Sequence, residues 1–420
     1  MPSDIHVTRI DPADDAAVQQ ILDLDELVWS ASGRVPRADA LRDTPRRAGF
    51  VATRDGEPAG IAGSWDVELS VPAAKGGASL RPAEGLTWVG VHPDHRRRGV
   101  LGAMMAHHLR WTRDEQGRSI SVLKASEPGI YGRFGYGVAS SELMSSFARG
   151  TKFAAPQSVR DVAEVTTLRT TTASPDQGER WHALARACAT TLPGHLVRSA
   201  EDNQRLLTDT PESRGEREPA RLLWATRDGR DVGCAYFHRT PKWDDGSAAG
   251  KVGVFFLLSV DAGARLALAE RLVDLDLMGS TEYWVAPDDV LALWQPSLRS
   301  MSVSGVADNL WVRLVDLPTA VAERGHAVDV DVVVQVRDEI LTEQAGRWRW
   351  TARDGIGRLS RTDDAAAVSL DIGDLGAVWL GGQSIAARAA AGYVTGETAA
   401  VAALDAALRT PLGPVGTIDF

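Results

Sequence analysis

The chain has 420 residues, with 46 lysines and arginines against 56 aspartates and glutamates, so its formal net charge is −10. This length exceeds one ordinary domain and predicts two or three. The acidic balance argues against a dedicated nucleic-acid-binding protein, which would need a broad basic face. With 24% charged and 44% hydrophobic residues, the composition is typical of a folded globular protein.

Three further features of the sequence narrow the class of protein. No run of about 18 uncharged apolar residues predicts a transmembrane helix. The acidic N-terminus lacks the basic-then-apolar order of a signal peptide. The two cysteines, Cys188 and Cys234, can form neither a disulfide scaffold nor a metal cluster. We therefore expect a cytoplasmic, multidomain protein that binds no metal.

The first segment, residues 1–150, alternates strand and helix signals. Strands are predicted at 6–10, 49–53, 60–69, 86–91 and 119–125, and helices at 14–28 and from 101 to a stop at Gly117. The Asp55-Gly56 pair is typical of a hairpin turn. A long helix between the last two strands predicts a parallel crossover pair.

The middle segment, 151–302, repeats this order more faintly, and the last segment, 303–420, mixes strands with alanine-rich helices. In the middle, strands are predicted at 233–239, 252–260 and 281–286, a helix at 261–278, and loops at 170–179 and 209–219. In the last segment, strands are predicted at 310–314, 328–336 and 347–352, and helices at 317–325, 373–381, 384–392 and 397–408. The predicted fold class is therefore a mixed α/β (α+β) protein.

The most informative stretch is a predicted strand, a basic turn and a helix, reading LTWVGVHPDHRRRGVL over residues 86–101. A helix start offers unpaired N–H groups and the positive end of its dipole, which together suit a pyrophosphate. Gly99 allows close backbone approach, and Arg96–Arg98 add charged donors. Taken alone, the three arginines favour a solvated basic turn, because basic runs are commonly solvated surface patches.

Two motifs together carry a resemblance to a known family. Arg96-x-x-Gly99-x-Leu101 resembles motif A of the GNAT acetyltransferases, with Leu101 where that family usually has a second small residue. Downstream, residues 125–137 read ASEPGIYGRFGYG. With the upstream HRRRG, this segment closely resembles the Eis (enhanced intracellular survival) branch of the GNAT superfamily.

The resemblance implies three domains and one active site. It implies a catalytic GNAT domain over 1–150, an inert GNAT-like domain over 151–302 and a sterol-carrier-protein-like domain over 303–420. In the middle repeat, Asp261 occupies the phosphate position and the triple arginine is missing, so an anion would meet like charge there. We therefore expect one acetyl-CoA site per chain and no metal cofactor.

The resemblance also implies roles for individual residues. The residues expected to bind acetyl-CoA are Val89, Gly90, Val91, Arg96, Arg97, Arg98, Gly99, Val100, Leu101, Gly102, Ser126 and Glu127. The family uses the tyrosine of the IYGRFGYG motif as general acid, which maps to Tyr131. A phenol with a pKa of about 10 carries a proton at neutral pH, as this role requires. Tyr136 is interpreted as structural. The α-carboxylate of Phe420 maps to the base, and Trp88 and Asp419 are candidate substrate-binding residues.

Each of these roles has a plainer alternative in the sequence itself. Trp88 and Tyr131 are residue types that bury readily in a core, and a chain terminus is commonly frayed. Asp23, Asp25 and Glu26 on the first helix could contact a polyamine, although a solvent-facing position is the simpler interpretation.

The sequence therefore predicts an acetyl-CoA-dependent N-acetyltransferase that acts directly on primary amines. By resemblance, the acceptors are aminoglycoside antibiotics, acetylated at several positions, which would confer antibiotic resistance, and lysine side chains. The resemblance also implies a homohexamer built as a trimer of dimers, with no nucleic-acid or membrane partner. The alternatives are a polyamine or arylalkylamine acetyltransferase and a hydrophobic-ligand carrier that uses the C-terminal domain.

Overall fold

A computed structural model describes residues 4–11, 14–29, 48–297 and 300–415. The predicted catalytic Phe420 and its neighbour Asp419 lie outside the described residues. The first stretch comprises β1 (Ile5–Arg9), α1 (Asp15–Val28), β2 (Ala48–Arg54), β3 (Glu57–Pro72), β4 (Ala78–Val91), α2 (Val100–Arg110), β5 (Ile120–Leu123), β6 (Gly137–Val138) and β7 (Ser141–Ala148).

The middle stretch consists of many short elements. They are α3 (Gln157–Glu164), β8 (Thr167–Thr172), α4 (Gly178–Cys188), β9 (Leu196–Arg198), α5 (Ala200–Leu206), α6 (Pro211–Arg214), β10 (Arg221–Arg227), β11 (Arg230–Thr240), β12 (Trp243–Asp244), β13 (Ser247–Ala248), β14 (Gly250–Ser259), α7 (Ala262–Val273), β15 (Met278–Val285), α8 (Val290–Leu293) and β16 (Ser302–Asp308).

The last stretch combines a small sheet with helices. Its elements are β17 (Trp311–Leu314), α9 (Leu317–Glu323), β18 (Val330–Arg337), β19 (Gly346–Arg353), β20 (Ile356–Arg361), β21 (Val368–Asp371), α10 (Ile372–Val378), α11 (Ile385–Ala390), β22 (Thr395–Gly396) and α12 (Thr398–Leu408). The mixed α/β class predicted from the sequence is confirmed.

Two expectations for the middle stretch were wrong in detail. The helix predicted over 261–278 ends at Val273, and β15 begins at Met278. Apolar residues recur across this boundary at Val273, Leu275 and Leu277, so periodicity alone could not mark it. The tracts at 170–179 and 209–219, expected as loops, contain the end of β8, the start of α4 and the whole of α6.

The described strands form two large mixed sheets, one smaller sheet and a two-stranded antiparallel pair of β12 with β13. The first sheet has the order β1-β2-β3-β4-β5-β17-β6, with β9 added to β3, and the second has the order β16-β7-β15-β14-β11-β10-β8. Each contains one parallel pair, β4 with β5 and β14 with β15, connected through a helix. The third sheet, β20-β19-β18-β21-β22, belongs to the C-terminal stretch.

The first two sheets exchange strands across the expected limits at 150 and 302. β7 lies in the second sheet, whereas β17 lies in the first. Both strands belong to a long antiparallel ribbon that bends where Ala139 N–H donates to Leu310 O at 2.8 Å and Asn309 N–H donates to Ser140 O at 3.0 Å. Hydrogen-bonded backbone therefore joins the two sheets. Each sheet includes at least one strand from outside the segment in which it was predicted.

The C-terminal stretch packs against the first sheet through one apolar cluster. That cluster includes Val67 of β3, Val312 of β17 and Trp350 of β19, all nearly inaccessible to solvent. Trp379 is also buried there, with its ring centroid 6.2 Å from that of Trp350. Large side chains therefore occupy the interior of the C-terminal stretch where it faces the first sheet.

A buried ion pair joins these two units, and breaking it should be costly. Arg313 Nη2 on β17 donates to both carboxylate oxygens of Asp338, at 2.8 and 2.7 Å, and both side chains are almost fully buried. Because Asp338→Ala would leave an uncompensated buried guanidinium, we expect the free energy of unfolding to fall by about 3–5 kcal/mol.

Denaturant unfolding of the full chain measures this change. The matched control is Asp331→Ala, because Asp331 makes an exposed pair with Arg349 and such a pair contributes about 0–1 kcal/mol. Equal losses in the two variants would contradict the importance assigned to burial.

Candidate acetyl-transfer site

β4 and β5, the parallel strands of the first sheet, separate towards their C-terminal ends. We call this separation the splay, and the candidate site lies in it. β4 and β5 pair only at Glu84 with Ser121 and at Gly85 with Val122. Beyond Gly85, β4 continues to Val91 with backbone pairing to β3 alone. A gap therefore opens between the end of β4 and the segment that follows β5, and backbone groups of β4 face it.

The edge of β4 that borders the gap contains a β-bulge. The β3–β4 register shifts between Ile61 and Gly63, so that Trp88 and Val89 oppose the single residue Ala62. Trp88 has a φ of +56°, in the left-handed region that non-glycine residues rarely adopt. Bulges redirect backbone groups, and here one lies within the segment expected to bind the thioester. The Trp88 ring is half-buried and packs on the cluster formed by α1, β2 and β3.

The hydrogen-bond alternation along β4 shows which amide faces the gap. His92 N–H donates to Ala59 O of the β3 side at 2.9 Å. In an antiparallel ladder, successive residues direct their N–H groups to opposite sides. The Val91 N–H therefore points away from β3, into the gap. A backbone donor at this position can bind a carbonyl oxygen that gains negative charge.

Helix α1 closes one side of this strand end. A Cβ on Gly90 would lie 2.6 Å from Cγ1 of Val28, so only glycine allows the two elements to approach this closely. Asp25 lies one turn before Val28 on the same helix face. The Asp25 carboxyl group is half-buried, and burial together with the charge of Glu26 raises its pKa. A solvent-facing position was the simpler expectation for Asp25; its carboxyl group is instead half-buried, on the face of α1 that carries Val28.

The turn after β4 presents an open helix start with three arginines. Gly99 is the N-cap of α2 with a φ of +88°, and no side chain caps the first turn. Arg96, Arg97 and Arg98 are exposed and form no ion pair with any other described residue. Ala103 N–H closes the first helical hydrogen bond, to Gly99 O. The N–H groups of residues 100–102 are therefore available to an anion.

The side chains of residues 100–102 leave space beside the first turn of α2 for a bound phosphate group. Val100 is buried and anchors the helix in the core, whereas a Cβ on Gly102 would meet no atom within 4 Å. Leu101, where the family has a small residue, is half-buried against the β4 side of the core. Part of the larger side chain is therefore accommodated in the core.

Tyr131 lies on the segment that follows β5, opposite the strand end. It opens a short 3₁₀ turn, Tyr131–Phe134, after the exposed residues Ser126 and Glu127. Burial of the ring and the nearby Glu127 carboxylate raise the pKa of Tyr131 above its ordinary value. The phenol is therefore protonated throughout the neutral range.

Tyr136, five residues further on, has a different environment. Its ring is buried, its hydroxyl lies 2.7 Å from Ser121 Oγ, and burial raises its pKa strongly. The ring centroids of Tyr131 and Tyr136 are 6.2 Å apart in an edge-to-face arrangement. Tyr136 thus supports Tyr131 from the core, in agreement with its interpretation as structural.

The turn that carries Tyr131 is fixed from the C-terminal side. Arg313 Nε donates to Phe134 O at 2.9 Å, the same guanidinium that pairs with Asp338. Gly135 has a φ of +80°, and a Cβ there would lie 2.6 Å from Ile372. The IYGRFGYG segment therefore needs glycine at this point because β17 and α10 pack against its backbone.

The chain leading to Phe420 is described up to Val415 and runs along a defined path. Gly413 N–H donates to Asp288 Oδ2 at 2.6 Å, and Thr410 N–H donates to Gly381 O at 3.3 Å. The path therefore contacts both the C-terminal stretch and the end of the second sheet.

The last described contact of this path is a close fit against a rigid loop. Val415 N–H donates to Pro193 O at 3.0 Å, and a Cβ on Gly194 would overlap the Val415 carbonyl oxygen. Ser70 on β3 holds that loop by four hydrogen bonds: its N–H to His195 O at 2.8 Å, its O to Gly194 N–H at 2.9 Å, and its Oγ to Leu192 O and His195 N–H at 2.9 and 2.8 Å. After Val415, five residues remain, which can extend at most about 17 Å.

The histidines near the site do not form a metal centre in the described part of the chain, where no group of three His, Cys, Asp or Glu side chains could hold an ion. His92 Nδ1 accepts from Asp94 N–H and shapes the turn. Burial, together with neighbouring His107, lowers the pKa of His108 to about 3, so this histidine is neutral and inaccessible.

Within the described residues, no helix is long and apolar enough to span a membrane.

The second sheet repeats the splay but not the anion site. At the start of α7, Asp261 caps the first turn by accepting from Ala264 N–H at 2.8 Å and pairs with Arg227. A carboxylate thus occupies the position that Gly99 leaves open in the first sheet. This contrast supports the expectation of one anion site per chain.

Comparison with known proteins assigns families to both ends of the chain. Residues 9–139 match the acetyltransferase (GNAT) domain family, and residues 317–415 match the sterol carrier protein domain family. N-acetyltransferase Eis of Mycobacterium tuberculosis is 32% identical over 395 residues, covering 90% of this chain and 91% of that protein. An uncharacterized N-acetyltransferase of Streptomyces avermitilis is 36% identical over 351 residues, covering 80% of each chain.

Solved structures show the same architecture. Eis1 from Mycobacterium abscessus superposes with a TM-score of 0.80 at 27% identity, covering 99% of this chain and 100% of that chain. A GCN5-related N-acetyltransferase from Anabaena variabilis has a TM-score of 0.81 at 16% identity over 98% of both chains, a likeness of fold alone.

Proposed function

This chain belongs to the Eis family of GNAT N-acetyltransferases, and we propose that it transfers the acetyl group of acetyl-CoA to primary amines in the splay of the first sheet. The observation that carries the proposal is the contrast between the two splays. One ends in an uncapped helix start with three arginines that form no ion pair with a described residue, and the other ends in a carboxylate cap. Only the first suits a pyrophosphate.

The residues of this splay can bind and orient acetyl-CoA. The first-turn amides at residues 100–102 and the Arg96–Arg98 side chains would hold the pyrophosphate. The Val91 N–H would then donate to the thioester oxygen as that oxygen gains charge. Ser126 and Glu127 line the opposite edge, on the segment that leads to Tyr131.

Tyr131 would stabilise the leaving sulfur. Its raised pKa keeps the hydroxyl protonated, so it can donate a hydrogen bond to sulfur as the carbon–sulfur bond breaks. Because a phenol near pKa 10 is a weaker acid than a thiol near 8.5, complete proton transfer is uphill. The transfer must therefore be coupled to loss of a proton from the attacking nitrogen, and the overall proton count balances.

The attacking amine needs a group that accepts its proton, and we assign this role to the α-carboxylate of Phe420. The support is the path of residues 410–415, which two sets of contacts fix up to five residues from the terminus. A free α-carboxyl group has a pKa of about 3.3–3.7. It therefore acts mainly by orienting the ammonium and by relaying its proton through water, with Asp419 adding negative charge.

The acceptor class follows from the charge around the strand end. Asp25 on α1 and the acidic terminus would favour cations, and the half-buried Trp88 ring can face an ammonium group. We propose aminoglycosides with several amino groups as the first acceptor class and lysine side chains as the second. Polyamines and arylalkylamines are the alternative acceptors. We also propose that the chain assembles as a homohexamer. Light scattering on the purified protein tests this oligomeric state.

A panel of amines tests the proposed function directly. Thiol release from acetyl-CoA is followed with a 2-deoxystreptamine aminoglycoside, spermidine, 2-phenylethylamine and a lysine-containing peptide, and the products are weighed by mass spectrometry. We expect mass gains of several acetyl groups on the aminoglycoside. Thiol release with none of the amines, despite acetyl-CoA binding, would contradict the proposal.

The arginine turn should contribute to binding rather than to the chemical step. Arg97 is exposed and would contact the pyrophosphate in the ground state, so we expect Arg97→Ala to raise the KM for acetyl-CoA about tenfold, with little change in kcat. Steady-state kinetics with each substrate varied in turn measure this. Arg149→Ala, which removes an exposed arginine just after β7, is the matched control. Equal increases in the KM values of both substrates would argue against a pyrophosphate contact.

A further inference from the structure

The second splay contains a cavity that the proposed function leaves unused. β14 and β15 pair from Gly250 to Val254 and from Met278 to Tyr283, and beyond this their ends separate. The space between them is a cavity of about 360 Å³. This volume lies within the range of about 300–1,000 Å³ that is typical of small-molecule sites.

The cavity is the counterpart of the acetyl-CoA splay, yet it is unsuited to a phosphate. Asp261 lines it and already caps α7. Arg265, the cation in the wall, is bound to Asp289, with its Nε 3.0 Å from Asp289 Oδ1. An anionic ligand would therefore meet a carboxylate at the helix start and an arginine that is already paired.

The walls combine apolar surface with excess negative charge. The apolar lining comes from both strand ends, α8 and the C-terminal path: Leu257, Val260, Trp284, Val285, Val290, Leu293 and Leu412. Four carboxylates line the cavity, Glu142, Asp261, Asp288 and Asp289, against the single guanidinium of Arg265. His195 adds no positive charge, because burial and the nearby Arg265 lower its pKa to about 4.

Asp288 differs from the other three carboxylates. Glu142 pairs with Lys124 at 3.2 Å, Asp261 with Arg227 and Asp289 with Arg265. Asp288 forms no ion pair with a described residue; its contact is the backbone N–H of Gly413 at 2.6 Å. An exposed carboxylate that has no cationic partner among the described residues, at the mouth of an apolar cavity, favours a ligand that supplies a cation.

We propose that this cavity binds an organic amine cation with an apolar body, its ammonium group at Asp288 and its body between the ends of β14 and β15. Cavity volume, apolar walls and the uncompensated carboxylate all point to this class of ligand. The site is separate from the acetyl-CoA splay and needs no acetyl transfer to be occupied.

Occupancy of the cavity should also affect the C-terminal path. Leu412, Gly413 and Val415 form part of its wall. A ligand ammonium at Asp288 would compete with the Gly413 N–H for the same carboxylate and loosen the path that leads to Phe420. This consequence rests on the proposed catalytic role of Phe420, whereas binding itself does not.

The probe is N,N-dimethyl-2-phenylethylamine, a cation at neutral pH that cannot form a stable amide because its nitrogen is tertiary. Its uncharged counterpart is 2-phenylethanol. Calorimetry on the full chain without acetyl-CoA should show the amine binding at least about tenfold more tightly than the alcohol, and Asp288→Asn should weaken amine binding by about three- to tenfold. Equal affinities for amine and alcohol would overturn the charge assignment.

Two cavity variants and one control locate the binding event. Ser259→Trp fills the cavity from β14, and Leu293→Arg places a positive charge at its rim, where Leu293 is 70% exposed and substitution leaves the core intact. Both should abolish amine binding, whereas Trp88→Ala in the first splay should leave it unchanged. Unchanged binding in Leu293→Arg, or loss in Trp88→Ala, would overturn the proposed location.

The effect on catalysis is measured separately. With the amine at saturation, we expect kcat for a fixed acceptor to fall while the KM for acetyl-CoA stays constant, and we expect Leu293→Arg to abolish this inhibition. Binding at the cavity without any change in kcat would refute the coupling through residues 412–415. An enzyme that does not transfer acetyl groups at all would refute the proposed function while leaving the binding result in force.

Discussion

Tyr131→Phe should lower kcat by about 10²–10⁴-fold, the range expected for loss of one general acid, while the affinity for acetyl-CoA stays unchanged. The substitution removes the hydroxyl alone and keeps the ring that packs edge-to-face on Tyr136. Without that hydroxyl, the thiolate would leave unassisted. The proposed pyrophosphate contacts are made by the arginine turn and not by Tyr131, so binding should be preserved. Single-turnover rates and calorimetry with acetyl-CoA measure the two quantities.

The chain offers a matched control in Tyr136→Phe. This substitution removes the same atom five residues away, but the Tyr136 hydroxyl is buried against Ser121. We expect a modest loss of stability of about 1 kcal/mol, from one lost buried hydrogen bond, and a transfer rate close to that of the original protein. Equal rate losses in the two variants would show that the segment is merely destabilised, and a normal rate in Tyr131→Phe would remove Tyr131 from the mechanism.

Amidation of the C-terminus should lower the transfer rate by a comparable factor, about 10²–10⁴. The amide keeps the length and bulk of Phe420 but removes the negative charge that would orient the attacking amine. Extension beyond Phe420 should act similarly, because it replaces the carboxylate with a neutral peptide group and moves the charge away. Protein ligation gives the amidated chain, and acetyl-CoA binding should be unchanged in it. An unaffected rate after both amidation and extension would place the base elsewhere, with Asp419 the next candidate.

An internal variant tests the same path without altering the terminus. A Cβ on Gly194 would overlap the Val415 carbonyl oxygen, and the four hydrogen bonds from Ser70 hold the loop in place. Gly194→Ala should therefore displace the path leading to Phe420 rather than the loop, and kcat should fall with the KM for acetyl-CoA unchanged. Gly229→Ala is the control, because Gly229 also has a positive φ but its Cβ would meet no atom within 4 Å.

The local motifs could be predicted from the sequence because each depends on interactions between residues that are close together in the chain. The Asp55-Gly56 turn, the strand before His92 and the helix start at Gly99 each depend on residues close in the chain, and all three occur where predicted. The parallel pairing of β4 with β5 followed from the helix between them. The contrast between Gly99 and Asp261, and with it the expectation of one anion site, likewise came from residue identity at matching helix starts.

The tertiary structure alone decided how these pieces combine, because the contacts involved join residues far apart in the chain. The ribbon that gives β17 to the first sheet pairs residues near 140 with residues near 310. Arg313 on that strand holds the carbonyl of Phe134, and the loop at Gly194 fixes Val415. Pairings over such separations depend on backbone hydrogen bonds and packing, which several compatible strands could supply, so the residue pattern of one strand does not identify its distant partner. The sequence therefore determined the chemistry of the anion turn and of the tyrosine turn, and the long-range fold determined where the tyrosine turn, the C-terminal path and the second cavity lie.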